Sequence, residues 1–141
     1  MHLGGNDMLL KAYPAIFTRD EDGGYFIKFP DIQGAYTGTH EEDGIAFAMY
    51  MAEDVLGGTL SIMIEDNEPI PLPSDINDLT APPGGFVTMV KVDVEAYLKD
   101  TTPVKKTLTI PKWVNELGNR CGINFSKLLT NAIVAENLNK K

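Results

Sequence analysis

The chain has 141 residues, 43% hydrophobic and 23% charged, with a formal net charge of −8, which is room for one ordinary domain or two small ones. No run of eighteen apolar residues is present and no charged-then-apolar segment opens the chain, so a soluble, cytoplasmic protein is expected. A single cysteine, Cys121, excludes an internal disulfide and a zinc set, and His2 and His40 are too scattered for a metal site, so no metal or cofactor is expected.

The charge is unevenly spread. Residues 1–100 carry eighteen Asp and Glu against five Lys and Arg, whereas residues 101–141 carry seven Lys and Arg against two Glu. An acidic partner-binding part joined to a basic nucleic-acid reader gives this split. An acidic surface kept only for solubility explains the first half alone, but not the asymmetry.

In chain order, residues 1–7 show no periodic pattern and are expected to be a flexible leader or expression remnant. Residues 9–18 read as a strand in which Pro14 suggests an edge position or a bulge. Asp20, Glu21 and Asp22, closed by Gly23 and Gly24, form a hairpin turn. A returning strand over 25–29 and a third over 35–39 complete an antiparallel meander. Thr39 and Glu42 have capping-box spacing, which predicts a helix from His40. Ile45, Met49, Ala52, Leu56, Leu60 and Met63 keep one helical phase across Gly57 and Gly58, so a single helix to about Glu65 is expected. Five prolines make 66–85 a structured loop with at most one short turn over 74–79. Residues 86–92 should return as a fourth strand, followed by a short helix over 94–99 capped by Asp93.

The linker, residues 101–104, is where the charge changes sign. Val104, Lys106, Leu108 and Ile110 then alternate with Lys105, Thr107 and Thr109, which predicts a short strand with one largely apolar and one basic, hydroxylated face. Pro111 ends it and opens a helix to Arg120 carrying Trp113, Val114 and Leu117, with Gly122 as its stop. Asn124 caps a second helix whose Phe125, Leu128, Leu129, Ala132, Ile133 and Leu138 recur at helical spacing. Some thirty-five residues with one strand cannot bury these faces alone, but a second copy pairing its strand antiparallel would bury them.

The alternating run over 105–110, Pro111, Gly122 and the turn of Asn124, Phe125 and Ser126 resemble the ribbon-helix-helix repressors. That resemblance implies that Lys105, Thr107 and Thr109 read bases in a major groove. The start of the second helix, at Asn124, Phe125, Ser126 and Lys127, would hold a phosphate, as free amides at a helix start do. An amphipathic edge strand and two helices of an ordinary core would share the same pattern.

Residues 13–42, YPAIFTRDEDGGYFIKFPDIQGAYTGTHEE, are similar to the N-terminal domain of the HicB antitoxins, and the ribbon-helix-helix completes that family's two-part layout. One departure is Asp43–Gly44, where the family places small or helix-favouring residues, which bears on the first helical turn. The resemblance implies an α+β chain: a partial ribonuclease-H-like domain over 8–100, with an antiparallel sheet and one long helix, then the linker, then the dimeric DNA-binding domain over 105–138. It also implies a non-enzymatic antitoxin whose acidic domain blocks a HicA-type mRNA-cleaving toxin and whose C-terminal domain represses its own operon, as a homodimer or higher even-numbered oligomer. Asp20, Glu21, Asp22, Tyr25, Glu41, Glu42 and Asp43 are the candidate toxin-binding residues. A solvated acidic surface is the plain alternative for them. Two rival functions stay open on residues alone: a ligand-responsive regulator, and a metal-dependent nuclease using these carboxylates.

Overall fold

The computed structural model describes residues 9–138, so the expected leader over 1–7, and Met8 as first residue of the N-terminal domain, lie outside the described part. In β1 (Leu10–Arg19), Tyr13, Ala15 and Phe17 share one buried side, as alternation along an extended backbone requires. β2 (Tyr25–Lys28) and β3 (Tyr36–Gly38) continue the antiparallel meander, and β4 (Phe86–Asp93) returns beside β1, giving the order β3-β2-β1-β4. Phe17 lies opposite both Ile27 and Phe86. Its ring stacks on Phe86 with centroids 4.6 Å apart, and Tyr25 stands edge-on to the pair. The α+β class is therefore as expected.

Pro14 corrects one detail, because β1 is an interior strand and carries no bulge there. Pro14 pairs with Met89 of β4, whereas pairing with β2 begins only at Ile16. At Pro14 the strand has a neighbour on one side alone, so a residue without an N–H is tolerated.

The helix start is also corrected. Thr39 is not a cap: its hydroxyl accepts from the Tyr25 amide at 3.3 Å, on the strand side. A single 3-10 turn, Glu41–Asp43, comes first, closed by the Asp43 carboxylate accepting from the His40 amide at 2.8 Å. Gly44, at φ +78, then admits the chain into α1 (Gly44–Glu65), a backbone angle that glycine adopts freely. The Asp43–Gly44 departure thus decides where the helix begins.

α1 runs unbroken through Gly57 and Gly58 and lays Ala48, Ala52, Leu56 and Leu60, all fully buried, on the sheet. A Cβ on Gly57 would come within 2.4 Å of the Tyr97 ring. The glycine is a contact surface, and this packing offsets its helix penalty of about 1 kcal/mol. Burial first, and then the Asp54 carboxylate, push the Tyr97 phenol up. Residues Glu41–Glu65 have the length and mean hydropathy, 1.2, of a membrane-crossing segment. Their apolar side chains divide between this core stripe and an exposed set, Ile45, Phe47, Tyr50 and Ile62.

The loop over 66–85 is pinned at two points. The Tyr13 hydroxyl donates to the Pro71 carbonyl at 2.5 Å, and Ser74 donates through its amide, at 2.9 Å, and its hydroxyl to the Asp31 carboxylate. Burial, and then the charge of Asp31, push the Tyr13 phenol up to about 12. Within the loop Ile76–Asp78 forms a short 3-10 turn, inside the span expected for one. After β4, Asp93 accepts from the Glu95 amide at 3.1 Å, but the expected helix over 94–99 is a single 3-10 turn, Val94–Tyr97. Leu98 is already extended and packs on the core, and the Lys99 amide donates to Glu65 at 3.0 Å.

The strand expected over 105–110 is not formed in the single chain. An isolated extended run has no ladder partner, and a strand is defined by one. α2 (Lys112–Arg120) and α3 (Phe125–Leu138) follow where their caps place them. Gly122, at φ +68, ends α2, with the Ile123 amide donating to Gly118 and the Gly122 amide to Asn119, the paired bonds of a Schellman stop. The Asn124 side chain accepts from the Lys127 amide at 3.0 Å and so caps α3.

Candidate functional site

The hairpin turn between β1 and β2 meets the start of α1 at one end of the sheet. Gly23, at φ +92, closes the turn by donating to the Asp20 carbonyl, and the Asp22 carboxylate accepts from the Gly24 amide at 3.0 Å. A Cβ on Gly24 would lie 2.0 Å from the Thr39 carbonyl oxygen, and one on Gly23 would overlap the Glu41 carboxylate. Turn and helix start are in direct contact. The other Asp22 oxygen stands 3.9 Å from His40 Nδ1.

Among the seven sequence-predicted residues of this end, Asp20, Glu21, Asp22, Tyr25 and Glu41 are brought together. Glu42 lies beside them, exposed. Asp43 is partly spent as the cap of His40. Arg19 was not anticipated: its guanidinium lies 4.5 Å from the Tyr25 ring centroid and donates to the Tyr25 hydroxyl at 2.8 Å and the Gly23 carbonyl at 3.0 Å. His40 was missed likewise. Arg19, Tyr25, His40, Glu41 and Ile45 help line an open concavity of about 190 Å³. Glu41 is the one carboxylate of this lining, with the acidic turn of Asp20, Glu21 and Asp22 beside it, an arrangement suited to a basic protein surface.

The basic segment is different in kind. Lys105, Thr107 and Thr109 are exposed on the extended run. Around them Val104, Leu108, Ile110, Trp113, Leu117 and Leu128 are also left exposed, between 43% and 87%. Phe125 lies over Gly118, where a Cβ would be 2.5 Å from its ring, so it joins α3 to α2. The Lys127 amide is taken by Asn124, while the amides of Phe125 and Ser126 point out of the helix start with no partner among the described residues. Two free N–H groups at a helix start suit a phosphate.

The family model falls on the N-terminal half. Residues 12–81 match the family model described as HicB_like antitoxin of bacterial toxin-antitoxin system. The antitoxin HicB of Escherichia coli is 42% identical over 65 residues, covering 46% of this chain and 45% of that protein. Antitoxin HicB 1 of Photorhabdus laumondii is 44% identical over 66 residues, covering 45% and 39%. The matched region thus spans less than half the length of these curated relatives. A chain of a toxin–antitoxin complex from Streptococcus pneumoniae is 38% identical, with TM-score 0.55, covering 90% of this chain and 99% of that one. The Burkholderia pseudomallei antitoxin HicB, at 23% identity and TM-score 0.55, covers 88% and 96% and shares the fold.

The four-stranded antiparallel sheet with its crossing helix is an α+β fold of the HicB type. The chain belongs to the HicB-like antitoxin family of bacterial toxin–antitoxin systems.

Proposed function

We propose that this chain is a non-enzymatic cytoplasmic antitoxin that binds and inhibits a HicA-type mRNA-cleaving toxin through the acidic end of its sheet. In the same reading the basic C-terminal segment forms a ribbon-helix-helix dimer that represses the operon. The observation that carries the reading is the apolar set Leu108, Ile110, Trp113, Leu117 and Leu128, left exposed in the single chain immediately beside Lys105, Thr107 and Thr109. A second copy would bury the first set and present the second as a two-stranded ribbon of the width a major groove accepts. The likeness to a chain from a toxin–antitoxin complex supports the partner.

A concavity of about 190 Å³ rimmed by charge is below the roughly 300–1,000 Å³ of typical small-molecule pockets. Among the described residues no three His, Cys, Asp or Glu side chains are placed to hold a metal ion.

Two measurements test the two surfaces. Reversing Asp22 and Glu41 together to lysine should weaken toxin binding by about 10–100-fold, with the larger loss at low salt, because exposed carboxylates act mainly through a screened field. The same reversal at Glu95, on the opposite end of the sheet, should change the affinity little. Calorimetric titration at two salt concentrations decides this. Thr107→Ala should relax operator discrimination at one base position by about 1–3 kcal/mol, and unchanged discrimination would remove that face from DNA.

A further inference from the structure

Arg19 is the last residue of β1 and stands opposite Tyr25 across the hairpin, at the base of the turn that carries Asp20, Glu21 and Asp22. A cation directly before three consecutive acids is placed to pair with one of them. It does not. Among the described residues no carboxylate lies within ion-pair reach of the guanidinium. Its donors go to neutral groups instead, the Gly23 carbonyl at 3.0 Å and the Tyr25 hydroxyl at 2.8 Å, with the guanidinium 4.5 Å from the Tyr25 ring centroid.

These contacts run from the core to the turn. Tyr25 stands edge-on to Phe17 and Phe86 and packs on the core. Arg19 lies on Tyr25 and reaches the far end of the turn at Gly23. The turn's own backbone closure is the Asp20 amide donating to the Gly24 carbonyl at 2.8 Å and the Gly23 amide to the Asp20 carbonyl at 3.0 Å. Like charges crowded into one exposed turn repel one another and favour its opening. A guanidinium, whose donors are fixed in one plane, can hold ring and carbonyl at once, and it stacks on an aromatic face as an ammonium does not.

We propose that Arg19 is a positioning residue of the toxin-binding end. It fixes the shape of the acidic turn and pairs with none of its carboxylates, so their charge stays available to a basic partner. This role rests on the acidic end being the surface that meets the toxin, as proposed above. It also reverses the sign that charge alone gives. A cation on a face that meets a basic toxin repels it, so removing Arg19 would tighten binding if charge were its whole effect. If Arg19 fixes the turn, its removal moves the cost of ordering the turn into the binding step, and affinity falls although the attraction rises. The two effects separate in the kinetics. Long-range charge acts mainly on association, and loss of a pre-ordered contact acts mainly on dissociation.

Binding kinetics of the full chain as wild type, Arg19→Lys and Arg19→Gln, with a HicA-type toxin as the probe, test this alongside amide nitrogen relaxation of each free chain. Lysine keeps the charge but not the fork, and glutamine keeps neither. In both free variants the order parameters of Glu21, Asp22 and Gly23 are expected to fall from about 0.85 to below about 0.6. The dissociation rate should rise about 10-fold in both, with association unchanged in Arg19→Lys and raised about 2-fold at low salt in Arg19→Gln. Tighter binding by Arg19→Gln, or wild-type dissociation from Arg19→Lys, would overturn the positioning role and leave Arg19 a surface charge. Faster dissociation with unchanged order parameters would overturn it in favour of direct contact between Arg19 and the toxin. The reversal of Asp22 and Glu41, measured beside these variants, separates the two levels. If that reversal leaves toxin affinity unchanged, the acidic end is not the toxin surface and the role of Arg19 there is overturned with it. If the reversal weakens binding while both Arg19 variants behave as wild type, the acidic end stands and the positioning role alone is overturned.

Discussion

Leu108→Asp is expected to convert the protein from dimer to monomer and to abolish operator binding. Leu108 is 55% exposed in the single chain and lies on the apolar side of the alternating run. In an antiparallel ribbon each dimer would bury two copies of it, each contributing about 1.5–3 kcal/mol. An aspartate at the same place loses that contribution and adds the cost of burying a carboxylate without a partner. A combined loss of about 4–6 kcal/mol raises the dissociation constant by roughly 10³-fold or more. Sedimentation over a concentration series measures it directly. Because Leu108 is not among the residues packed on the sheet core, the N-terminal fold and its binding of toxin should persist. Thr107→Asp, one position along and on the other side of the run, should leave the dimer intact and remove DNA binding alone. If both variants were dimeric, the alternation would have no structural meaning.

The elements that were legible in the sequence are those decided within a few residues. The Asp-rich turn with its two glycines, the strand alternation at Tyr13, Ala15 and Phe17, the α2 stop at Gly122 and the Asn124 cap are local matters of backbone angle and side-chain reach. Thr39 failed for a reason the pattern could not contain: its hydroxyl accepts from the Tyr25 amide, fourteen residues back. Gly57 reads as a helix-weakening residue until Tyr97, forty positions on, is seen against it. Arg19 carried a faint signal, an isolated cation directly before three acids. Only the hairpin register, which sets Arg19 opposite Tyr25, shows that the two form a pair. The run over 105–110 is the opposite case, since its alternation is plain in the sequence and has nothing to act on within one chain.

Gly24→Ala is expected to cost about 3 kcal/mol of stability, a fall in Tm of roughly 10–20 °C, and to impair toxin binding together with it. Gly24 has no need of a positive φ; its constraint is space. The added methyl would lie 2.0 Å from the Thr39 carbonyl oxygen and 2.9 Å from the His40 Cα, both backbone atoms. Neither can swing aside as a side chain would, because Thr39 is held by its amide donating to the Tyr25 carbonyl at 2.9 Å and by its hydroxyl accepting from the Tyr25 amide. Relief requires the end of β3 to move off β2, and His40 and Glu41 move with it. Gly34→Ala isolates the other kind of glycine. Gly34 has φ +83 with nothing within 4 Å of the added carbon, so it should cost only the backbone strain of about 1–2 kcal/mol and leave toxin affinity unchanged. Thermal melts and toxin titrations on the two variants separate the outcomes. Equal losses at Gly24 and Gly34 would mean that the turn and the helix start are not packed together in solution. A large loss at Gly24 alone ties the acidic end to the sheet as one rigid surface, whose carboxylates are positioned before any partner arrives.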